Sequence, residues 1–148
     1  MEKIINILIV LSLVILPTFG QTGFPGKYDN SRIGVLIKKE GIVKGKRTKG
    51  NIEKDIYYKN LTPVRYAYNR ALKDRYTPPK GRLIGSYIFV RIDILNSGLV
   101  NRAKLIETDF SDTTFIKEAL DTVKNWKFDV IHEKNDTTIF RYVIKLTQ

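Results

Sequence analysis

The sequence contains no cysteine, and this absence excludes disulfide bonds, thiol nucleophiles and thiolate-ligated metal sites. A single histidine, His132, leaves too few ligands and bases for most zinc sites and for a serine-type catalytic triad. Only five prolines are present, so the chain has no long proline-rich spacer. The sequence therefore predicts neither a metal site nor a cofactor.

The sequence offers few candidates for catalytic residues. Asp109 and Asp112 are close in sequence, but a loop and a helix cap explain them. His132 lies in a polar stretch without a neighbouring base or carboxylate to pair with. Gly81 and Gly85 are too few for a phosphate-binding loop. We therefore expect a protein that is not an enzyme and has no catalytic residues.

The composition suits one globular domain. Of 148 residues, 43% are hydrophobic and 28% are charged, which allows a real core and an ordinary soluble surface. Residues 1–20 (MEKIINILIVLSLVILPTFG) differ from this average, because Lys3 precedes an apolar run that ends at Pro17. This layout is typical of a secretory signal peptide with cleavage after Gly20, and the alternative is an uncleaved anchor. We expect export to a bacterial periplasm or cell envelope.

The positive charge is confined to the first half of the chain. Residues 21–82 hold 16 Lys/Arg and 5 Asp/Glu, whereas residues 83–148 hold 9 of each. A basic surface attracts polyanions, and export makes nucleic acid an improbable partner. The predicted basic patch consists of Lys44, Lys46, Arg47, Lys49, Lys54 and Lys59. Its binding target would be an anionic envelope component: lipopolysaccharide, anionic lipid or glycan. The alternative is a surface that only solubilises the protein.

Five stretches have strand character. Residues 33–37 (IGVLI) form a β-branched run, and a second short strand is expected at Ile42-Val43 after a turn. Residues 83–95 alternate, and one face carries Ser86, Ile88, Val90, Ile92 and Ile94. The opposite face is mixed, so helices are expected to cover one side only. Residues 99–107 return after an Asn96-Ser97-Gly98 hairpin turn, and residues 137–146 form the last strand.

Two helical regions separate these strands. Apolar residues recur at helical spacing from residue 52 onward. Because proline is best tolerated at the first helical position, the main helix is predicted over residues 63–75 with Thr62 as its N-cap. Residues 52–60 are predicted as a separate or kinked helical piece. Ser111 or Asp112 is predicted to cap the second helix, whose apolar face includes Phe115, Ala119 and Val123.

The only tryptophan, Trp126, continues the apolar face of the second helix. We expect its ring to close the helix–sheet core while the indole N–H donates to a carbonyl. Burying this ring would stabilise the fold by roughly 1.5–3 kcal/mol or more. The alternative is an exposed ring that stacks on a sugar or a peptide.

Four stretches in this order carry a family resemblance: GKRTKGNIEKDI (45–56), VRYAYNRAL (64–72), NSGLVNRAKLIETDFSD (96–112) and FIKEALDTVKNWKF (115–128). Together they resemble the TonB C-terminal domain superfamily, in particular its AgmX/PglI-like branch. The positions that match its structural signature are Tyr68, Gly98, Trp126 and Phe128. Ala67 and Glu118 stand where the branch usually has cysteines. The chain also lacks the long linker of an energy-transducing TonB, so force transmission is not carried over.

The resemblance implies an α+β fold over residues 32–148, after a flexible leader at residues 21–31. In this fold, two helices pack on one face of a small, mainly antiparallel three-stranded sheet, with a short extra N-terminal strand. It also implies a non-catalytic binding module that recognises an envelope protein or peptide by strand addition at an open sheet edge. The candidate edge is the last strand, and homodimerisation by edge pairing is an alternative use. The predicted partner-binding residues are Phe140, Arg141, Tyr142 and Lys145.

Overall fold

The computed structural model of the protein describes residues 30–76 and 85–146. The predicted signal peptide, its cleavage site and most of the predicted leader lie outside these residues. In the described part of the chain, no helix combines the length and the apolarity needed to cross a bilayer. The elements are α1 (Asn30–Ile37), β1 (Gly41–Lys44), α2 (Lys49–Asp55), a π-helical turn (Ile56–Asn60), α3 (Leu61–Tyr76), β2 (Tyr87–Leu95), β3 (Val100–Thr108), α4 (Thr113–Lys124) and β4 (Thr137–Lys145).

The fold is α+β, as predicted, and its sheet is antiparallel. Four strands take part in the order β1-β4-β2-β3, so the sheet is larger than the predicted three strands by the short β1. The prediction of a strand at Ile42-Val43 is confirmed by β1. The long alternating run of residues 83–95 forms β2 over its described part. Its even-numbered residues from Ile88 to Ile94 are fully buried.

The prediction of a strand at residues 33–37 is wrong, because these residues belong to helix α1. In a helix, Ile33 and Leu36 lie on one face, and both are buried against Tyr87, Phe89 and Val143. This packing outweighs the strand preference of a short β-branched run. Helices therefore cover both faces of the sheet, and the expectation of cover on one side only is also wrong.

Residues 49–76 form one helical rod that a π-helical turn interrupts. The rod begins at Thr48, whose hydroxyl accepts from the Asn51 N–H at 3.4 Å, so Thr62 is not the N-cap that was predicted. Pro63 lies inside α3 instead. In a regular α-helix the proline ring would crowd the Lys59 carbonyl. The wider turn immediately before it, where the Leu61 N–H bonds to Ile56 O, interrupts that regular bonding.

The main core lies between the sheet and the two helical layers of residues 49–76 and α4. Trp126 closes this core and is 2% exposed, as predicted. Its ring packs edge-to-face on Phe128 at a centroid distance of 6.4 Å. The predicted carbonyl partner is absent, since within the described residues the Trp126 Nε1 has no hydrogen-bond partner. The neighbouring Lys127 carbonyl accepts from the Asn60 side chain at 2.8 Å, and Asn60 also accepts from the Lys127 N–H.

The hairpin and the second helix begin as predicted. The Gly98 N–H donates to Leu95 O at 3.0 Å, and Gly98 has a φ of 86°. A Cβ at this glycine would lie 2.0 Å from the Phe128 carbonyl oxygen, so only glycine fits. Of the two predicted caps, Asp112 is the N-cap of α4, because its carboxylate accepts from the Thr114 and Phe115 N–H groups.

Candidate functional site

The last strand, β4, lies inside the sheet, and this corrects the prediction that it forms an open edge. β2 pairs with residues 137–145 on one side, and β1 pairs with residues 139–141 on the other. Gly41 and Gly45 bracket β1 with φ angles of 138° and 117°, which other residues rarely adopt. These two glycines let the chain turn in alongside β4 and cover part of its outer side.

The cover is incomplete, because β1 is four residues long and β4 is nine. Among the described residues, no strand pairs with residues 142–145 of β4 on the β1 side. Main-chain groups of alternate residues point to opposite sides of a strand. The Leu146 N–H donates toward β2, to Ser86 O at 2.8 Å, whereas the Val143 N–H points outward. Instead of a strand, the carboxylate of Glu40 accepts from this Val143 N–H at 2.7 Å.

A groove of about 390 Å³ lies beside this uncovered end of β4. Side chains from the helical rod and from the segment before β1 form its walls. A second cavity of about 310 Å³, lined also by Tyr68, Asn69 and Leu146, shares Arg65 and Lys145 with the first. The edge groove, as we call the two together, therefore follows β4 to its end. The lining of its larger part is Ile37, Glu40, Glu53, Tyr57, Leu61, Arg65, Tyr142, Val143 and Lys145.

The electrostatics of the edge groove centre on Glu40. Burial raises the pKa of its carboxyl group above the ordinary 4.5, against the opposing effect of the Val143 N–H. Burial also raises the pKa of the Tyr142 phenol, and the charge of Glu40 adds to this. Arg65 and Lys145, which line both cavities, have exposed side chains. The groove thus offers a hydrogen-bond acceptor in its larger cavity and two cations where the two cavities adjoin.

The four predicted partner-binding residues divide between core and surface. Phe140 is fully buried on the sheet face that packs against the helical rod and α4 and is a core residue, so it cannot contact a partner. Arg141 is exposed on the opposite face and lies beside Gly41 of β1. Tyr142, stacked on Phe140 at 6.1 Å, and Lys145 both line the edge groove. Two of the four therefore remain candidates for strand addition at this place.

One member of the predicted basic patch is buried. Arg47 is 7% exposed and donates to three main-chain carbonyls: Asp129 O at 2.5 Å, Leu95 O at 2.7 Å and Asn96 O at 3.3 Å. Burial lowers the pKa of its guanidinium group. This arginine joins the hairpin to the loop before β4, so its role is structural and its assignment to a binding patch is wrong.

Two further members of the patch are held in ion pairs. Lys59 lies 2.5 Å from Asp129 and 2.8 Å from Asp55, and hydrogen bonds to these two carboxylates raise the pKa of its amine. Lys49 lies 3.5 Å from Glu53. Lys44, Lys46 and Lys54 remain as exposed cations on three different segments. Of the six predicted patch residues, three therefore stay exposed without a salt bridge among the described residues.

Two of the residues considered for catalysis, Asp109 and Asp112, hold parts of the fold in place. The Asp109 carboxylate accepts from the Ser86 N–H and hydroxyl at 2.8 and 2.6 Å and from the Tyr87 N–H at 3.0 Å. These bonds hold the start of β2 against the end of β3. Asp112 caps α4, and His132 is exposed in the loop before β4. Sequence reasoning gave the two aspartates loop and capping roles, and the contacts agree with those roles.

Sequence reasoning missed Glu40 and Arg65. Glu40 has the sequence context of a turn. Its role depends on the hydrogen bond from Val143, a residue 103 positions away. A signal was present in the lengths of the predicted strands, because the last one covers residues 137–146 and the other only residues 42–43. A short strand beside a long one must leave part of the long one unpaired.

In comparisons with known proteins, no protein-family model, no curated protein and no solved structure matches this chain. The resemblance to the TonB C-terminal domain superfamily therefore stays a prediction from the sequence.

Proposed function

We propose that this protein is a non-catalytic binding module of the bacterial envelope that takes up an extended segment of a partner protein in the edge groove. The observation that carries the proposal is the unpaired end of β4 beside Glu40. An incoming strand would pair with residues 142–145 and extend the sheet where β1 stops. The resemblance to TonB C-terminal domains and the predicted export point to the same class of function.

The guest would replace Glu40 at the edge. Its own main-chain carbonyl would accept from the Val143 N–H that Glu40 now occupies at 2.7 Å. Tyr142 and Leu61 would contact guest side chains on the face of the strand that carries the helical rod, and Arg65 with Lys145 would favour an acidic guest residue where the two cavities adjoin. Main-chain pairing gives affinity with modest sequence demands, and these side chains provide selectivity.

The other open borders of the sheet are less suitable. On β3, the pairing with β2 shifts register twice, near Phe89 and near Asp93, so β3 contains two bulges. Bulges interrupt the regular row of main-chain groups that a guest strand needs. β1 is only four residues long. The end of β4 is the border where a regular strand adjoins a groove.

A pair of variants at one position tests the proposal. Peptides that bind the full chain would first be selected from a library of extended random sequences. Lys145→Pro removes the outward N–H of residue 145, and Lys145→Gln keeps that N–H while removing the charge. We expect Lys145→Pro to weaken peptide binding at least about tenfold, because a main-chain hydrogen bond and its neighbours are lost. Lys145→Gln should change it far less.

A gain-of-binding variant completes this experiment. Glu40→Ala frees the Val143 N–H, so it should strengthen peptide binding, and bound peptide should slow hydrogen exchange at Val143 and Lys145. Equal affinities of Lys145→Pro and Lys145→Gln, or exchange protection along β3 in place of β4, would exclude strand addition at this edge.

A further inference from the structure

The sheet face that carries α1 also carries a row of three cations. Lys104 of β3, Arg91 of β2 and Arg141 of β4 are directly opposed across three neighbouring strands. Strands lie about 4.8 Å apart, so the row spans about 10 Å. Like charges directly opposite one another destabilise a sheet. The row of three cations therefore lowers the stability of the sheet, and the fold nevertheless retains it.

The central cation of the row, Arg91, is paired with an acidic residue. Arg91 Nε lies 2.9 Å from Asp93 Oδ1, and Arg91 Nη2 lies 3.4 Å from Asp93 Oδ2. This fork holds the guanidinium in place and leaves its Nη1 donors for another anion. Among the described residues, no salt bridge engages Lys104 or Arg141, and both side chains are exposed.

A second row increases the positive charge of this face. Arg102 stands opposite Asp93 on one side, and Lys44 stands opposite Ile139 on the other. Both cations are exposed and have no salt bridge among the described residues. Five cations and one carboxylate thus share this half of the face, which we call the cation rows: Lys44, Arg91, Arg102, Lys104 and Arg141.

Helix α1 forms a wall along the cation rows. Its Arg32 reaches Glu107 on β3 with a 2.7 Å hydrogen bond, and its Leu36 packs with Val143 on β4. The helix therefore crosses the strands in the same direction as the row of Lys104, Arg91 and Arg141. On β4, the row lies two residues from Val143, which α1 contacts. Because a helix with side chains is about 10 Å across, α1 stands well above the neighbouring sheet surface.

This step in the surface selects the shape of the ligand. A planar bilayer resting on α1 could not reach side chains at the foot of the helix, whereas a narrow chain can lie along it. The charge density selects its chemistry. An extended peptide places a side chain on one face about every 6.8 Å, whereas cations of the row recur about every 4.8 Å. A polynucleotide strand shows that a phosphate polymer can carry one charge per about 3.4 Å of axis.

We propose that the cation rows form a binding site for a linear phosphate polymer, which lies across the strands along the foot of α1. Arg141 binds its phosphate oxygens through its guanidinium fork and Arg91 through the remaining Nη1 donors, and Lys44, Arg102 and Lys104 contribute further positive charge. The described face presents no exposed aromatic ring beside the rows, because Tyr87 and Phe89 are buried under α1. The site therefore recognises charge and spacing. This inference does not depend on strand addition in the edge groove.

Titration of the full chain with short-chain inorganic polyphosphate tests the inference. The double variant Lys104→Gln/Arg141→Gln removes two charges from the row, and Lys117→Gln/Lys134→Gln removes two exposed charges from elsewhere. We expect the row variant to bind at least about tenfold more weakly and to reduce the slope of log K against log salt by about 1.4. The control variant should change binding by less than about twofold, because its charges act only at long range.

Other ligands decide the class of partner. Poly-glutamate and vesicles of anionic phospholipid should bind more weakly than polyphosphate at equal charge concentration, and inorganic phosphate should compete poorly because one ion cannot span the row. Equal losses in the row and control variants would overturn the site. Tighter binding of poly-glutamate or of vesicles would overturn the assignment to a phosphate polymer. Near-UV circular dichroism of both variants shows whether the fold is retained.

Discussion

The carboxylate of Glu40 accepts a 2.7 Å hydrogen bond from the Val143 main-chain N–H, just before β1 begins and beside the part of β4 that β1 leaves uncovered. Glu40 directly precedes β1, which begins at Gly41. The Glu40 side chain therefore covers the edge of β4 next to the part that β1 covers. Displacing a side chain from the edge of β4 costs much less free energy than displacing a strand. The hydrogen bond between Glu40 and Val143 therefore links the stability of the fold to whether this edge is free for a guest strand.

Glu40→Gln should stabilise the protein at neutral pH. Burial raises the pKa of Glu40 in the folded state, so the folded state binds the proton more tightly than the unfolded state. The stability contributed by this group is fully present below the unfolded value of 4.5 and is lost as pH rises through the folded pKa. Glutamine keeps the acceptor without the charge. The gain at about pH 7 should be below about 1 kcal/mol, because the carboxylate is only partly buried.

Denaturant unfolding at about pH 7 and at about pH 3.5 checks this prediction. The two proteins should converge at the lower pH, where the wild-type carboxyl group is protonated. Glu40→Asp is a useful control, because it keeps the charge but is too short to reach Val143. A wild-type protein more stable than Glu40→Gln at neutral pH would mean that the ionised carboxylate contributes net stability.

Trp126 should tolerate phenylalanine much better than alanine. Its ring is 2% exposed, and no partner accepts from its Nε1 among the described residues. A buried donor without a partner costs about 1–3 kcal/mol, and Trp126→Phe removes that cost while leaving a smaller cavity. We expect Trp126→Phe to destabilise by less than about 1.5 kcal/mol and Trp126→Ala by about 3–5 kcal/mol. Urea titrations followed by circular dichroism measure both, and similar losses would show that the N–H has a partner in solution.

Arg47→Met should destabilise the loop before β4 as well as the whole fold. The substitution preserves most of the buried length of the side chain but removes the guanidinium donor from three carbonyls, of which only those of Leu95 and Asn96 keep a main-chain donor among the described residues. Hydrogen bonds to charged groups contribute about 1.5–3 kcal/mol, so a total loss of about 2–4 kcal/mol is expected. Lys46→Met, an exposed neighbour, is the control and should stay within about 0.5 kcal/mol. Comparable losses in both variants would argue against the buried role.

The sequence allowed the α+β class, the hairpin and α4 to be predicted, because each depends on local chemistry. Gly98 supplies the positive φ of the turn, and Asp112 caps the helix with its own side chain. The periodicity of β2 was equally clear, since its even-numbered residues are all buried. Burial of Trp126 followed from the spacing of one helix face. In each case the deciding contacts lie within a few residues or on one regular face.

The rest depended on contacts between distant residues. α1 is a helix because Leu36 packs against Phe89 and Val143, which lie far from it in sequence. The mixed face of β2 was taken as solvent-exposed, although its Tyr87 and Phe89 needed cover. The prediction of the basic patch did not foresee that Arg47 is buried or that Lys59 has two acidic partners. One of these partners is Asp129, 70 positions away. Linear charge density cannot show which lysines and arginines become paired in the fold.

Substitutions in α1 distinguish helix from strand in this segment. In a strand, Ile33, Val35 and Ile37 would share one face and Leu36 would lie on the other, whereas in α1 it is Ile33 and Leu36 that are buried. Leu36→Ala should therefore cost about 2–5 kcal/mol, because a buried leucine is lost from a close-packed cluster. Val35→Ala, at a position that is 44% exposed, should stay within about 0.5 kcal/mol. Thermal and urea unfolding of the two variants give the comparison. A larger loss for Val35→Ala than for Leu36→Ala would restore the strand, and with it the single-sided sheet that the sequence pattern first indicated.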